Sequence, residues 1–331
     1  MNTPRCLVLS MLALGGTTVT AAPSTWTIAG NIAPEKVVVQ SHRGAGVLAE
    51  ENTVAAFELG WKLGTYPESD LRTTKDGVIV TFHDSNFKRV VKNVSPELAS
   101  KGVKDLTYAE LMKLDVGAWM GEQFQGRRVS KLADAFAAMR GKPERHLYLD
   151  IKNVDFPQLA QEVKAYGVGA QIVLASSKPE EIRAWKKLVP ESDTLLWMRG
   201  SEADLRKRLA ALRETEFSGI TQIQIHIFPL RTIADALEIA AIGYKQLKLT
   251  PEEVKASPHR YQVSDAFVRE LGDELRARGI LFQALPYTTD ANIYDELLDL
   301  GVMSFATDHP DVTMQRIKAY CARKAPASAA K

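Results

Sequence analysis

Short apolar runs alternate with amphipathic stretches from Val37 almost to the end of the chain, and this alternation limits the folds open to it. The runs Val37–Ser41, Glu68–Arg72, Leu147–Lys152, Ile172–Ala175, Leu195–Met198, Ile220–His226, Ile280–Ala284 and Met303–Thr307 read as strands. Between them, Thr53–Leu63, Ser130–Met139, Pro157–Tyr166, Pro179–Leu188, Glu202–Arg213, Val263–Arg278 and Asp290–Leu300 carry helical spacing. Strand then helix, repeated about eight times, predicts an α/β fold with a parallel sheet closed as a (β/α)8 TIM barrel. A doubly wound open sheet is the alternative. No G-x-G-x-x-G follows the first strand, which weakens its dinucleotide-binding form. The 331 residues, 45% of them hydrophobic, are enough to fill a barrel core, since such barrels need about 250.

Two features interrupt the repeat. Asp76-Gly77 is a tight-turn signal followed by the strand-like Val78–Phe82, which predicts an extra hairpin after the second barrel strand. Residues Asp84–Arg128 then form an insertion with a helix expected over Tyr108–Leu114. Lys245–Gln262 is charged and irregular and reads as a surface loop. The Ala/Lys/Ser-rich end from Lys324 is expected to be a disordered tail.

The N-terminus reads as an export leader over residues 1–21. Arg5 supplies a positive start, Cys6–Leu14 is apolar but too short to span a bilayer, and Val19-Thr20-Ala21 offers a small-residue cleavage site. The expected location is secreted or periplasmic, with one barrel domain over 22–323. Of the two cysteines, Cys6 would leave with the leader, so Cys321 has no partner for an internal disulfide and no Cys-based metal site is possible. The net charge is +2 with signs interspersed, and no basic run carries aromatics, so nucleic acid is not expected as a partner.

In a barrel, residues just past each strand's C-terminal end face the active site. The first strand runs into His42-Arg43-Gly44: a proton carrier at neutral pH, a planar fork suited to phosphate, and a residue that lets the backbone turn. The second carries Glu68 and Asp70, two apart and so on one face, where both can meet one cation. The third ends with Asp150 and Lys152 at the same spacing, which fits either a plain ion pair or a third metal oxygen beside a cation for substrate. His83 ends the extra hairpin and offers a second histidine. Asp308 and Pro310 after the last strand read as the cap and first turn of the final helix.

These groups suit phosphodiester cleavage, which needs charge neutralisation, a poised nucleophile and a proton for the leaving alkoxide. Arg43, Lys152 and a cation would supply the first; His42 and His83 would serve as base and acid. An all-oxygen set from Glu68, Asp70 and Asp150 suits one divalent Mg²⁺ or Ca²⁺ ion.

The run His42-Arg43-Gly44, Glu51-Asn52-Thr53, Ala56-Phe57, Gly64, Glu68-Ser69-Asp70, Thr74-Lys75-Asp76-Gly77 and His83-Asp84 resembles the N-terminal signature of glycerophosphodiester phosphodiesterases. The likeness continues through Leu106–Leu111, Asp150-Ile151-Lys152 and Thr307–Pro310. It implies a barrel, an insertion near the second strand, a divalent cation, and hydrolysis of glycerophosphodiesters to an alcohol and glycerol 3-phosphate. It makes His42 and His83 the acid–base pair and Arg43 a phosphate contact. Glu68, Asp70 and Asp150 become metal ligands, with Lys152 near substrate and Glu51 beside Arg43. The chain departs from the pattern at Glu50 (usually Pro), at Asp150 (usually Glu), and at Leu285-Pro286-Tyr287-Thr288, which replaces a Trp-Thr strand and reshapes one wall.

Water attack and attack by a substrate hydroxyl through a cyclic phosphate both use these residues. The main reading is action on soluble deacylated headgroups. An alternative is lysophospholipids or sphingolipids at a membrane, with Trp119 and Met120 on an apolar rim, although packing explains those two as well. An exported solute-binding protein without catalysis, and a sugar isomerase, are further alternatives. Of the other histidines, His226 could line the barrel mouth, His146 precedes a strand and His259 falls in the loop. Trp197 reads as a substrate-facing or core aromatic.

Overall fold

Eight parallel strands close on themselves in the computed structural model, which describes residues 37–230 and 258–324. They are β1 (Val39–Ser41), β2 (Tyr66–Thr73), β4 (Leu147–Asn153), β5 (Ile172–Ser176), β6 (Asp193–Met198), β7 (Gln222–His226), β8 (Leu281–Leu285) and β9 (Ser304–Thr307). Neighbours pair in the order β1-β9-β8-β7-β6-β5-β4-β2, and β2 returns to β1 through Gln40–Tyr66 and Ser41–Pro67. The expected (β/α)8 barrel is therefore the observed fold. The predicted leader (1–21) and the tail after Lys324 lie outside the described residues, as does the expected loop up to residue 257. Where that loop re-enters, Tyr261 and Gln262 are buried rather than on the surface.

Between the strands run helices α1 (Val54–Lys62), α4 (Leu132–Met139), α5 (Phe156–Tyr166), α6 (Pro179–Leu188), α7 (Glu202–Glu214), α8 (Asp265–Ala277), α9 (Ala291–Asp299) and α10 (Pro310–Lys324). Their starts are written locally. Thr53, Asp155, Ser201, Ser264 and Asp290 each accept a backbone N–H of the first helical turn, satisfying a donor that the helix leaves unpaired. Strand alternation then sorts the barrel into two faces. Leu71, Leu149, Leu174, Leu196, Ile223, Phe282 and Phe305 lie in the apolar layer shared with the helices. Tyr148, Val173, Ala175 and Leu195 form a separate cluster with Val38, Tyr66 and Trp197.

β2 is longer than β1, and this positions the insertion. Its first residues pair with β1, while Leu71, Arg72 and Thr73 pair antiparallel with β3 (Ile79–Thr81) through the Asp76-Gly77 turn. The hairpin foreseen from that dipeptide thus extends the barrel wall at its C-terminal end. Beyond it, α2 (Pro96–Ser100) and α3 (Tyr108–Leu111) belong to the insertion, the latter a turn shorter than expected. The insertion has its own small core of Val80, Phe82, Phe87, Val91, Leu111 and Val116. Trp119 packs against that core, and its indole N–H donates to Val116 O at 3.1 Å.

Candidate active site

The residues singled out from the sequence converge on one end of the barrel. The chain leaves β1 at Ser41 and turns sharply through His42, Arg43 and Gly44. Arg43 sits in the left-handed region at φ 52° and Gly44 at φ 112°. A Cβ on Gly44 would lie 2.6 Å from that of Ala56, so only glycine lets this loop approach α1. The turn aims the Arg43 backbone N–H at Glu68 Oε2, 2.8 Å away, and its Nη1 at Glu51 Oε2, 3.0 Å away. Glu51 therefore stands beside Arg43, as the resemblance implied. Arg43 Nε is buried with no hydrogen-bond partner, which leaves a donor for a phosphate oxygen.

Strand register assembles the acids. Asp70 of β2 is aligned with Asp150 of β4, and Glu68 lies two residues before Asp70 on the same face. One carboxylate oxygen from each of Glu68, Asp70 and Asp150 lies within 4.8 Å of the other two. Burial and the nearby Asp70 push the Glu68 carboxyl up to about 8. Burial likewise raises that of Asp150. Asp70 is held below its usual range: burial opposes this, but Lys152, His83 and Arg43 outweigh it. Lys152 Nζ bridges the cluster, 2.7 Å from Asp150 Oδ2 and 3.1 Å from Asp70 Oδ1.

Three clustered carboxylates, two of them buried and Asp150 half-buried, repel unless protons or cations intervene. Glu68 Oε1 is buried and makes no hydrogen bond. An all-oxygen trio with an unpartnered carboxylate oxygen fits a hard divalent cation, so these residues form a set that could hold one. Asn52 fixes the trio from behind. It adopts φ 57°, accepts the Asp70 N–H on Oδ1 and donates from Nδ2 to Asp70 Oδ2, both at 2.8 Å.

A histidine–carboxylate pair flanks each side. His42 Nδ1 lies 2.6 Å from Asp308 Oδ1, and His83 Nδ1 lies 2.6 Å from Asp84 Oδ1. Asp308 is therefore a correction to the capping expectation: its carboxylate holds His42, while Pro310 does open α10. The loop geometry explains this. Val47 N donates to Asp308 O at 2.8 Å, and Gly46 (φ 58°) faces that carbonyl so closely that a Cβ would lie 2.0 Å from it. Burial disfavours a charged His42, but Asp308 and Glu68 outweigh it and push the imidazole up to about 9. Asp84 is held well below its usual range: burial opposes this, but His83 and Arg89 outweigh it.

Arg89, from the insertion, was not foreseen. Its guanidinium clasps Glu51 (2.6 Å) and Asp84 (2.8 Å), and so ties the partner of Arg43 to the partner of His83. No short motif marks it; an isolated arginine in an irregular segment has no readable period. Elsewhere on the same rim, β6, β7 and β8 bring together Trp197, His226 and Tyr287. His226 and Trp197 stack at 5.6 Å, and Tyr287 Oη lies 3.0 Å from His226 Nδ1. His226 thus sits in a rim cluster, as the sequence suggested, and Tyr287 belongs to the divergent Leu285–Thr288 wall.

Comparison with known proteins agrees with this geometry. The chain is 24% identical over 324 residues to a glycerophosphodiester phosphodiesterase of Bacillus subtilis, covering 97% of this chain and all of that one. It is 28% identical over 287 residues to a lysophospholipase D of Rattus norvegicus, covering 82% of each. Among solved structures it resembles a glycerophosphodiester phosphodiesterase of Agrobacterium tumefaciens (TM-score 0.58, 22% identity, 84% of this chain and 99% of that one). It also resembles an Oleispira antarctica phosphodiesterase solved with the product sn-glycerol-3-phosphate (TM-score 0.57, 21% identity, 85% and 96%). The model of the glycerophosphoryl diester phosphodiesterase family matches residues 42–312, from His42 to the start of α10. The chain belongs to the glycerophosphoryl diester phosphodiesterase family.

Proposed function

We propose that the protein hydrolyses glycerophosphodiesters to an alcohol and glycerol 3-phosphate, with His42 and His83 as the acid–base pair and one divalent cation, Mg²⁺ or Ca²⁺, at Glu68, Asp70 and Asp150. The observation that carries this reading is the placement of two histidine–carboxylate pairs around one three-carboxylate cluster. The cation, when bound, supplies positive charge to the phosphoryl oxygens. Arg43 adds a fixed fork, with Nη1 held by Glu51 and Nε making no hydrogen bond, 3.9 Å from Asp70 Oδ2. Lys152 adds a second positive charge beside the acids.

Asp308 and Glu68 push the His42 imidazole up to about 9, which suits it to protonate a leaving alkoxide. His83 then takes the proton from the attacking group, with Nδ1 turned to Asp84. The attacking group is either water or a substrate hydroxyl. We further read residues 1–21 as an export leader, which places the mature enzyme outside the cytoplasm; N-terminal sequencing of the protein from its host would check it.

The test is product release from glycerophosphocholine by purified protein with Mg²⁺, Ca²⁺ or chelator, beside His42→Ala. Metal-dependent glycerol 3-phosphate release that the substitution abolishes is the expected result. The similarity to a lysophospholipase D gives a second reading. Turnover of lysophosphatidylcholine but not glycerophosphocholine would establish it in place of the first.

A further inference from the structure

The polarity of one hydrogen-bond chain through the barrel can be deduced from its far end. Ser304 Oγ donates to the backbone carbonyl of Val38 at 2.7 Å, because a carbonyl can only accept. Ser304 Oγ must then accept from Gln283 Nε2, 3.0 Å away. This turns Gln283 Oε1 toward Gln224, whose Nε2 donates to it and also to Gln40 Oε1 at 3.0 Å. Gln224 Oε1 is thereby left facing His226 Nε2 at 3.2 Å, so that nitrogen carries the ring proton. Burial keeps this imidazole neutral, pushing it down to about 3, so Nδ1 is a bare acceptor. Tyr287 Oη, 3.0 Å away, is the donor to it. The chain therefore fixes both the His226 tautomer and the phenol's orientation, and leaves Tyr287 Oη only lone pairs to offer a ligand.

On the same imidazole packs a side chain of complementary chemistry. Trp197 Nε1, a donor only, is buried with no partner, and its ring stacks on His226 with centroids 5.6 Å apart. Phe228 stacks on Tyr287 at 5.0 Å and closes the wall on the other side. Tyr287 follows β8, which neighbours β9; β9 runs into Asp308, the partner of His42, and pairs with β1. The pair thus stands on the same rim as the catalytic groups. Tyr287 adopts φ 48°, a left-handed turn that a tyrosine holds only when its surroundings fix it.

We propose that Tyr287 Oη and Trp197 Nε1, oriented through His226, form the subsite for a hydroxyl of the substrate's glycerol arm, the hydroxyl donating to Tyr287 and accepting from Trp197. A hydroxyl is the one common substrate group that answers a fixed acceptor and a fixed donor at once. A bare alkyl arm leaves Trp197 Nε1 unpaired and gains nothing from Tyr287. This rests on the glycerophosphodiesterase reading, and the experiment separates the two.

Binding of glycerol 3-phosphate and of n-propyl phosphate, the same three-carbon arm without hydroxyls, is measured by calorimetry on the metal-supplemented protein. It is repeated for Tyr287→Phe and Trp197→Phe, alongside glycerophosphocholine turnover. The expected wild-type preference for glycerol 3-phosphate is about tenfold or more, the usual scale for one well-placed hydrogen-bonding pair. Each substitution should cut that preference to within about threefold by weakening glycerol 3-phosphate alone, with propyl phosphate bound as before. KM for glycerophosphocholine should rise more than kcat falls. A preference that both variants retain, or an equal weakening of the two ligands, overturns the subsite. Loss of all glycerophosphodiester turnover in the wild type would instead overturn the parent reading, whatever the binding ratio.

Discussion

His42 Nδ1 and Asp308 Oδ1 stand 2.6 Å apart across 266 positions of sequence. The contact crosses the seam where β1 meets β9, so closure of the barrel itself creates the pair. A carboxylate at this distance fixes which ring nitrogen faces the reaction and stabilises the imidazolium. Asp308→Asn keeps the size and one acceptor but removes the charge. We expect kcat for glycerophosphocholine to fall by about 10²-fold, the lower end of what positioned acid–base catalysis contributes. A kcat within about twofold of wild type would show that Asp308 serves only the backbone.

The same neighbourhood gives a pH signature in the metal-free protein. His42 is raised from 6.5 to about 9, so its contribution to stability is full below about 6.5 and lost as pH rises through about 9. Glu68 is raised from 4.5 to about 8; the proton that the folded state keeps is stabilising below about 4.5, and that benefit is lost as pH climbs through about 8. Both act in the same direction. In chelator, the melting temperature should therefore decline steadily from pH 5 to pH 9, and Glu68→Gln should flatten the curve. A chelated protein equally stable at both ends of that window would contradict this account of the cluster.

Saturating Mg²⁺ or Ca²⁺ should reverse the decline. Ligand at about a hundred times its dissociation constant adds about 2.7 kcal/mol to the folded state. For a chain of this size that is a rise of roughly 4 °C in melting temperature. The rise should be largest near pH 8, where the acids are otherwise uncompensated. It should vanish in Asp70→Asn, because Asp70 lies at the centre of the trio and of the Lys152 and Asn52 contacts. Scanning calorimetry with each metal reads this without reference to activity.

Much of this was legible beforehand because its causes are local. All eight barrel strands were placed to within a couple of residues, since short apolar runs set between amphipathic stretches depend on neighbouring residues alone. Glu68 with Asp70, and Asp150 with Lys152, follow from the same period. What stayed hidden depends on closure. Asp308 read as a helix cap because its chemistry allows that role; its partner is supplied by β1. Arg89 lies in a segment with no period. Tyr287 could be marked as a departure, but its relation to His226 exists only because β7 and β8 are neighbours.

Asn52 shows how a turn and a ligand set can depend on one side chain. Its φ of 57° suits asparagine better than most residues, and its amide meets Asp70 twice. Asn52→Ala should lower metal affinity by about tenfold, the smaller end of the range for a group that orients a ligand. Isothermal titration with Ca²⁺ or Mg²⁺ measures it. An unchanged affinity with a lowered melting temperature would assign Asn52 to the turn alone.

Gly46 is the most demanding backbone position in the site loop. It combines φ 58° with a carbonyl, Asp308 O, that would lie 2.0 Å from any Cβ. The carbonyl cannot retreat easily, because it accepts the Val47 N–H at 2.8 Å and its own side chain holds His42. Gly46→Ala must therefore push apart the two segments that build the His42–Asp308 pair. The left-handed backbone alone costs about 1–2 kcal/mol for alanine, and the overlap adds about 1–3 kcal/mol more. We expect a destabilisation of roughly 3 kcal/mol in urea unfolding together with a fall in kcat that approaches that of Asp308→Asn. In Gly77→Ala the turn also has a positive φ, 83°, but nothing lies within 4 Å of the new methyl. That variant should carry only the backbone cost, with kcat intact, and a comparable loss of activity in both would break the link between the Gly46 contact and the His42–Asp308 pair.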